Sequence, residues 1–207
     1  MHLRHESASA RLQEPQPGDS VSAPTATSTF PAGYAAVPTA TLIEVYAAGA
    51  SRLRAALAGL DPFEWTARPR PNKWSIVEIA LHMTDSELIG TGRSRLTFAQ
   101  PGKGFFTYDE NGWAAAFDYQ GANASAVERS LTLFEALRAY QLPIFARATA
   151  AEWTHEARHP EWGAVTLRNL LELYADHSER HIAQILENRR LLGIPVELPA
   201  ILEQRLY

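Results

Sequence analysis

In the segment from Leu167 to Leu192, side chains that would face a protein core recur at intervals of three and four residues. This periodicity constrains the fold more than any other feature of the sequence. Such spacing places the side chains on one face of an α-helix, the face that a helical bundle buries. His177 and His181 lie four residues apart on that face, so their Cβ atoms are about 5–6 Å apart and both imidazoles can hold one metal ion. The periodic positions are Leu170, Tyr174, His177, His181, Ile185 and Asn188.

Four long helices are predicted from capping signals and apolar stripes. Thr41 with Glu44, Ser75 with Glu78 and Ser125 with Glu128 form capping boxes that start the first three helices, and Thr166 caps the fourth. The predicted ends are near Gly59, Phe98, Ala148 and Gly193, with a kink at Pro143. Because there is no alternating strand pattern and no internal repeat, the sequence predicts an all-α four-helix bundle with a long axis of roughly 30 Å.

Residues 1–37 are rich in Ser, Ala, Thr and Pro and contain few large apolar residues. Burial cannot offset the entropy of ordering such a segment, so we predict a flexible tail whose last ten residues lie along the domain. His2 and His5 fall in this tail and are not expected to bind metal. Residues 38–207 then form one domain of about 170 residues.

Composition excludes several classes of function. The net charge of −4 comes without a basic stripe, so we expect no nucleic-acid partner. No apolar run approaches the ~18 residues of a membrane helix, and no secretory signal follows Arg4, so the cytoplasm is the default expectation. The chain has no cysteine, which excludes disulfides, cysteine-bound zinc and a protein thiol nucleophile.

The connection at residues 100–124 is long and dense in glycine and aromatic side chains. Loops of this length in a compact domain usually cover a site, although aromatic plugs that close one end of the bundle are an equal alternative. A second connection, from Trp153 to Gly163, contains His155 and His159.

A third metal ligand is available on the second helix, where His82 accompanies the apolar face. One histidine on such a face is usually a core residue whose ring nitrogens both have partners. Three histidines at a comparable depth on the buried faces of two helices favour a metal site. Three neutral nitrogen ligands suit zinc, nickel, copper or iron and leave a position open for water or substrate, whereas a structural site closes with a fourth protein ligand.

Two acidic residues near the histidines in the sequence are expected to point to different sides of their helices. Glu179 lies roughly 200° around the helix from His177, so protease-type chemistry is disfavoured, and Glu179 and Arg180 are expected on a solvated face or at a dimer contact. Asp85 is one turn from His82 and is the predicted catalytic residue. It would orient an imidazole or take a proton from bound water, the alternative being a helix-surface carboxylate.

Three segments of the chain resemble the DinB/YfiT-like superfamily of metal-binding four-helix-bundle proteins, and most closely its YfiT branch of metal-dependent hydrolases. They are Lys73–Ser86 with the pattern Trp-Ser…His-x-x-Asp-Ser, Tyr108–Trp113 with Tyr-Asp-Glu-x-x-Trp, and Thr166–Ile185 with His-x-x-x-His. The resemblance implies a metal held by His82, His177 and His181 at one end of the bundle, and a homodimer. His159 resembles a family histidine of the last loop and is interpreted as a pocket or loop-packing residue, the alternative being a metal ligand.

The predicted function is that of a metal-dependent hydrolase in which a three-histidine-bound Zn²⁺ or Ni²⁺ activates a water or thiol nucleophile for a small-molecule substrate. The alternatives are an S-transferase that uses a low-molecular-weight thiol similar to bacillithiol or mycothiol, as some relatives do, and a non-catalytic stress-response metal-binding module. Arg93, Arg95 and Arg168 are interpreted as surface residues, the alternative being contact with a carboxylate on a thiol cosubstrate.

Overall fold

Four long helices make up most of the structure, a computed structural model that describes residues 29–31, 33–203 and 206. The predicted all-α bundle is confirmed. Residues 1–28, with His2 and His5, lie outside the described residues, so the flexible tail stays a prediction. The elements are α1 (Thr39–Leu57), α2 (Pro62–Thr66), α3 (Ile76–Ala99), α4 (Glu110–Ala116), α5 (Ala124–Arg147), β1 (Glu156–His159), β2 (Gly163–Thr166) and α6 (Leu167–Leu191).

The two helices that carry the histidines begin where their capping signals predict. The Glu78 carboxylate accepts a hydrogen bond from the backbone nitrogen of Ser75 at 2.8 Å, at the start of α3. At the start of α6, the Thr166 hydroxyl accepts from the backbone nitrogen of Asn169 at 3.0 Å. These reciprocal bonds satisfy donors that a helix start otherwise leaves unpaired.

The other two predicted starts are wrong. Helix α1 begins at Thr39 directly after Pro38, whose fixed φ of −57° suits a helix entry, so Thr41 lies inside the helix. Helix α5 begins at Ala124, and its cap is Asn123, two residues before the predicted cap Ser125, because the side chain of Asn123 accepts from the backbone nitrogen of Ala126 at 2.9 Å. Asparagine caps helices as well as serine does, and the earlier residue takes the position.

Helices α1 and α6 are neighbours that run in the same direction. Near the beginning of both, Arg168 donates to the carbonyl oxygen of Val37 at 2.7 Å. Near their ends, Arg189 donates to the carbonyl oxygen of Ala56 at 3.2 Å.

Helices α3 and α5 are the second parallel pair. The Ser130 hydroxyl donates to the Thr84 hydroxyl at 2.7 Å in their first halves, and Arg95 donates to the Tyr140 hydroxyl at 3.0 Å further along both. Helix α3 runs against α6, because Asn188 near the end of α6 donates to the carbonyl oxygen of Trp74 just before α3, at 3.0 Å. The bundle is therefore up-down-down-up.

Parallel neighbours require a connection that returns along the bundle. Helix α3 has 24 residues and is about 36 Å long, so residues 100–123 must cover that distance before α5 can start. They do so on the outside of the bundle: Phe105 donates its backbone N–H to the Arg158 carbonyl at 2.8 Å, and Gln120 at the other end donates to the Thr66 carbonyl at 2.8 Å. We call residues 100–123 the crossover. It is not a featureless loop, since it contains α4.

The second connection corrects the expectation that the chain has no strands. Strands β1 and β2 form an antiparallel hairpin in register from Glu156 with Thr166 to His159 with Gly163. Gly163 has a φ of +71°, a conformation open to glycine at this turn. Strands of four residues are too short to show an alternating pattern in the sequence.

A buried arginine at the centre of the bundle contacts all four long helices. Arg138 of α5 is 3% exposed and donates to the Glu87 carboxylate of α3 at 2.9 Å. It also donates to the carbonyl oxygens of Tyr46 in α1 at 2.7 Å and of Tyr174 in α6 at 2.9 Å. The guanidinium fits beside α1 because residue 49 is glycine, where any Cβ would collide with it.

The segment before α1 contributes to the core. Tyr34, on the tail side of the predicted boundary at residue 37, is fully buried, and its hydroxyl donates to the Asp176 carboxylate of α6. The same hydroxyl contacts the carbonyl oxygen of Glu203 at 2.7 Å. This tyrosine therefore joins both ends of the described chain to α6.

None of the helices in the described part of the chain combines the length and apolar character that a membrane span requires.

We expect the substitution Arg138→Met to lower the free energy of unfolding by about 3–5 kcal/mol, because it leaves the buried Glu87 carboxylate without a partner. Urea denaturation measures the change. The matched control is Arg54→Met, which removes an ion pair to Glu135 between side chains that are 37% and 38% exposed and should cost at most about 1 kcal/mol. Equal costs for the two variants would contradict a central role for Arg138.

Candidate metal centre

Helices α3 and α6 bring His82, His177 and His181 together. The Nε2 atom of His177 lies 3.2 Å from Nε2 of His82 and 3.1 Å from Nε2 of His181. Each ring offers one nitrogen, and these nitrogens all lie within 4.8 Å of one another. His82 and His181 are 1% and 8% exposed, while His177 is partly exposed.

The two helices approach closely because α3 carries Gly90 opposite Tyr174. A Cβ at residue 90 would overlap the tyrosine ring. The ring lies one turn before His177, with ring centroids 6.3 Å apart, and forms one wall next to the imidazoles. A small residue on α3 thus sets the spacing of the helices at the histidine cluster.

Burial keeps the three imidazoles neutral. Loss of hydration lowers the pKa of His82 to about 3 and that of His181 to about 4. The pKa of His177 is also well below its ordinary value, first through burial and then through the neighbouring imidazoles. Neutral imidazole is the form that binds metals.

A neighbouring amide fixes the tautomer of one ring. Nδ1 of His181 lies 2.9 Å from Oε1 of Gln184, so the ring donates its hydrogen there and Nε2 carries the lone pair. That lone pair points towards the other two imidazoles. Three rings facing one another in this way cannot all satisfy each other as donors and acceptors.

The cluster fits a divalent metal. Zinc–nitrogen bonds of about 2.0–2.1 Å at the tetrahedral angle place ligand nitrogens about 3.3 Å apart. Two of the three separations are close to this value, and the third, between His82 and His181, is at most 4.8 Å. Among the described residues no fourth histidine or carboxylate joins the group. Three nitrogen ligands and an open position are typical of catalytic rather than structural zinc sites.

Two cavities flank the cluster. The first, about 430 Å³, lies under the crossover and the β-hairpin and reaches His177 and His181; we call it the hairpin cavity. The second, about 700 Å³, extends along the C-terminal half of α6 past Gln184; we call it the α6 cavity. Both are lined by Glu110, Arg180 and His181. The crossover therefore covers the site, as one of the two interpretations of its length predicts.

Glu110, at the start of α4, is a carboxylate next to the cluster that sequence reasoning did not single out. Partial burial, and then the charge of Asp109, raise the pKa of Glu110. Much of the residue is exposed, so water moderates the shift. The available signal was its place within the Tyr108–Trp113 motif.

Comparison with known proteins agrees with this geometry. Residues 46–185 match the family model described as the DinB superfamily. The chain belongs to the DinB superfamily. It is 30% identical over 135 residues to a protein of Halalkalibacterium halodurans named "Putative metal-dependent hydrolase", and the match covers 65% of this chain and 77% of that protein.

A second relative is YfiT of Bacillus subtilis, also named "Putative metal-dependent hydrolase", which is 29% identical over 125 residues, 60% of this chain and 68% of the relative. The solved structure of YfiT superposes with a TM-score of 0.70 at 25% identity, over 75% of this chain and 87% of that one. It is described as "a probable metal-dependent hydrolase with an unusual four-helix bundle topology". The relatives support a metal site in this chain.

Asp85, the predicted catalytic residue, is not brought to the imidazoles. Its carboxylate accepts a hydrogen bond from the Tyr119 hydroxyl and lines a separate cavity with Leu81 and Phe117. A separation of three residues turns the side chain about 60° around α3 from His82, which directs it towards α5 and the crossover. Its catalytic role stays a prediction that no described contact supports.

The expectation that Glu179 lies on a solvated face is wrong. Glu179 is 2% exposed and accepts hydrogen bonds from Arg52 of α1 at 2.6 and 2.8 Å. It does turn away from the histidines, but that side of α6 packs against α1. Arg180 is partly buried, pairs with Asp176 at 3.2 Å and borders both cavities.

His159 of β1 lies beside the site and outside the cluster. Its ring stacks on Trp162 with centroids 4.2 Å apart, and it lines the hairpin cavity. This placement agrees with its interpretation as a pocket residue.

We expect His177→Gln to weaken the binding of Zn²⁺ by at least about 100-fold, more than the roughly 10–100-fold lost with an outer hydrogen-bond partner. Competition with a chromophoric chelator measures the affinity. His159→Gln is the matched control, because it changes a histidine of the same cavity outside the cluster, and it should bind Zn²⁺ as the natural chain does. Similar losses in both variants would remove the basis for the three-histidine ligand set.

Proposed function

We propose that this protein is a metal-dependent enzyme in which His82, His177 and His181 hold one divalent ion, Zn²⁺ or Ni²⁺, that activates a water or a low-molecular-weight thiol. The observation that carries the proposal is the convergence of three neutral imidazole nitrogens next to a cavity of about 430 Å³. A purely structural metal would not need a cavity at its open position.

When bound, the ion would supply Lewis-acid chemistry and lower the pKa of a nucleophile. The residues of the chain supply the rest. Residues of the crossover and the hairpin form walls of the hairpin cavity, and Gln184 holds the His181 ring in its ligand tautomer. Glu110 is the carboxylate placed to accept the proton of the nucleophile, since it borders both cavities together with His181.

Hydrolysis is the leading reaction, in line with the names of the relatives. Transfer of an external thiol is the second candidate, and one observation favours it: the two cavities meet at Glu110, Arg180 and His181, which gives room for a cosubstrate and an electrophile. Because the chain has no cysteine, sulfur would have to arrive with the cosubstrate. The predicted homodimer and cytoplasmic location stay predictions.

We expect metal-free protein to be inactive and to regain turnover with Zn²⁺ or Ni²⁺ in a screen of esters, amides and thiol-plus-electrophile pairs, whereas His181→Ala stays inactive at the same metal concentration. His159→Gln serves as a control for folding and metal content. Turnover by His181→Ala at the natural level would refute the proposal. A melting temperature that collapses with chelator, with no turnover in the whole screen, would favour the non-catalytic module.

The two candidate carboxylates should respond differently to neutralisation. With a substrate found in that screen, Glu110→Gln should lower kcat by about 10²–10⁴-fold, the usual contribution of a general base, and should remove the acidic limb of the pH–rate profile. Asp85→Asn, which is isosteric and leaves the Tyr119 contact possible, should lower kcat less than tenfold by this reasoning. A larger loss of kcat in Asp85→Asn than in Glu110→Gln would indicate that Asp85 is the general base.

A further inference from the structure

The hairpin cavity contains two buried hydrogen-bond donors for which the described residues provide no acceptor of good geometry. They are the Nε of Arg93 and the hydroxyl of Tyr108, although Tyr174 lies near the first and Ser86 near the second. Both side chains line the cavity. Buried donors without a partner cost free energy, so native structures rarely retain them unless a ligand or water completes them.

The position of Arg93 is fixed by the crossover. Its Nη2 donates to the carbonyl oxygen of Phe106 at 2.7 Å, and the guanidinium lies 5.5 Å from the centre of the Phe105 ring. Within the described ranges no carboxylate lies at ion-pair distance from Arg93, whereas Arg180, the other arginine of the cavity, pairs with Asp176 at 3.2 Å. Arg93 therefore brings a positive charge that no carboxylate of the described residues neutralises.

His159 adds a third donor. Its Nδ1 accepts hydrogen bonds from the backbone nitrogens of Glu161 at 3.2 Å and Trp162 at 3.4 Å, so the ring hydrogen is on Nε2. Burial, and then the charge of Arg93, lower the pKa of His159, which favours this neutral form. A neutral donor suits an acceptor oxygen without adding a second charge.

The charges indicate a monoanion. Among the described residues that line the cavity, Arg93 is the cation for which no ion pair is found, and the exposed carboxylates of Glu110 and Glu161 border the same space and would repel a dianion such as phosphate. The walls include the rings of Tyr174 and Trp162, which accept an apolar body. A carboxylate oxygen pair matches a guanidinium edge and accepts further neutral donors.

We propose that the hairpin cavity is a carboxylate-binding subsite: Arg93, Tyr108 and His159 bind the carboxylate of a small monocarboxylic acid with an apolar body. The inference rests on the proposed function in one respect, that the rest of such a substrate would extend towards His177. The anion itself is bound by side chains that are separate from the three imidazoles of the cluster, so its binding does not require the metal.

Calorimetric titration of the metal-free protein with phenylacetate and 3-phenylpropionate, and with their neutral amides, tests the subsite. The carboxylates should bind at least about tenfold more tightly than the amides, the difference expected for a charge-assisted bond. Arg93→Gln should weaken carboxylate binding at least about tenfold, and Tyr108→Phe, which keeps the ring, by about threefold or more. Arg95→Gln is the matched control, since this arginine lies over the Tyr140 ring at 4.1 Å and does not line the cavity.

Several results would overturn the subsite. They are the absence of carboxylate binding at millimolar concentration, equal binding of the amides, or the same loss in Arg95→Gln as in Arg93→Gln. Carboxylate binding only after Zn²⁺ is added would place the anion on the metal instead. Thermal melts check that each variant is folded. If Arg93→Gln does not fold, the carboxylate affinity of Tyr108→Phe decides whether the subsite exists. If the metal-free protein binds carboxylates but no metal-dependent turnover exists, the subsite stands and the proposed function fails.

Discussion

The guanidinium of Arg138 is the buried charge on which the arrangement of the four long helices depends. It balances the carboxylate of Glu87 on α3, reaches carbonyl oxygens on α1 and α6, and donates to the hydroxyl of Ser178. A buried charge is tolerated only when its partners surround it with good geometry, so this contact fixes the positions of the helices along one another. Ser178 is next to His177 in the sequence, and the same contact therefore helps to set the height of the imidazoles on α6.

The site also depends on the direction of the helices. Because α3 and α5 are parallel neighbours, the chain must travel back along the bundle between them, and the crossover passes over the opening beside His177 and His181. Tyr108 and Glu110 reach the cavity from this returning segment, while the histidines come from the rigid helices. The three imidazoles are thus held by the long helices, while one wall of the cavity beside them is formed by the covering segment.

The sequence predicts the parts of this structure that local chemistry decides. Capping residues mark the starts of α3 and α6, and the four-residue spacing on α6 identifies two of the three histidines that the fold brings together. It does not predict what other elements decide. Glu179 is buried because Arg52 of α1 and the backbone nitrogen of Ile201 both donate to its carboxylate. The strands from 156 to 166 owe their pairing to one another and to the crossover. The catalytic role of Asp85 stays a prediction, because three residues of spacing turn its side chain about 60° around α3 from His82 and it accepts a hydrogen bond from Tyr119.

The histidines lie on the long helices and part of the cavity wall lies on the crossover, and this separation has an evolutionary consequence. Phe105 and Tyr119 of the crossover are buried and Ala122 packs against the core, whereas most of its other described residues are exposed or partly exposed. Changes in its exposed and cavity-lining positions can thus alter which molecules are accepted without loosening the bundle. Selection on ligand preference and selection on folding then act on different residues, so related chains can diverge in chemistry while one scaffold persists.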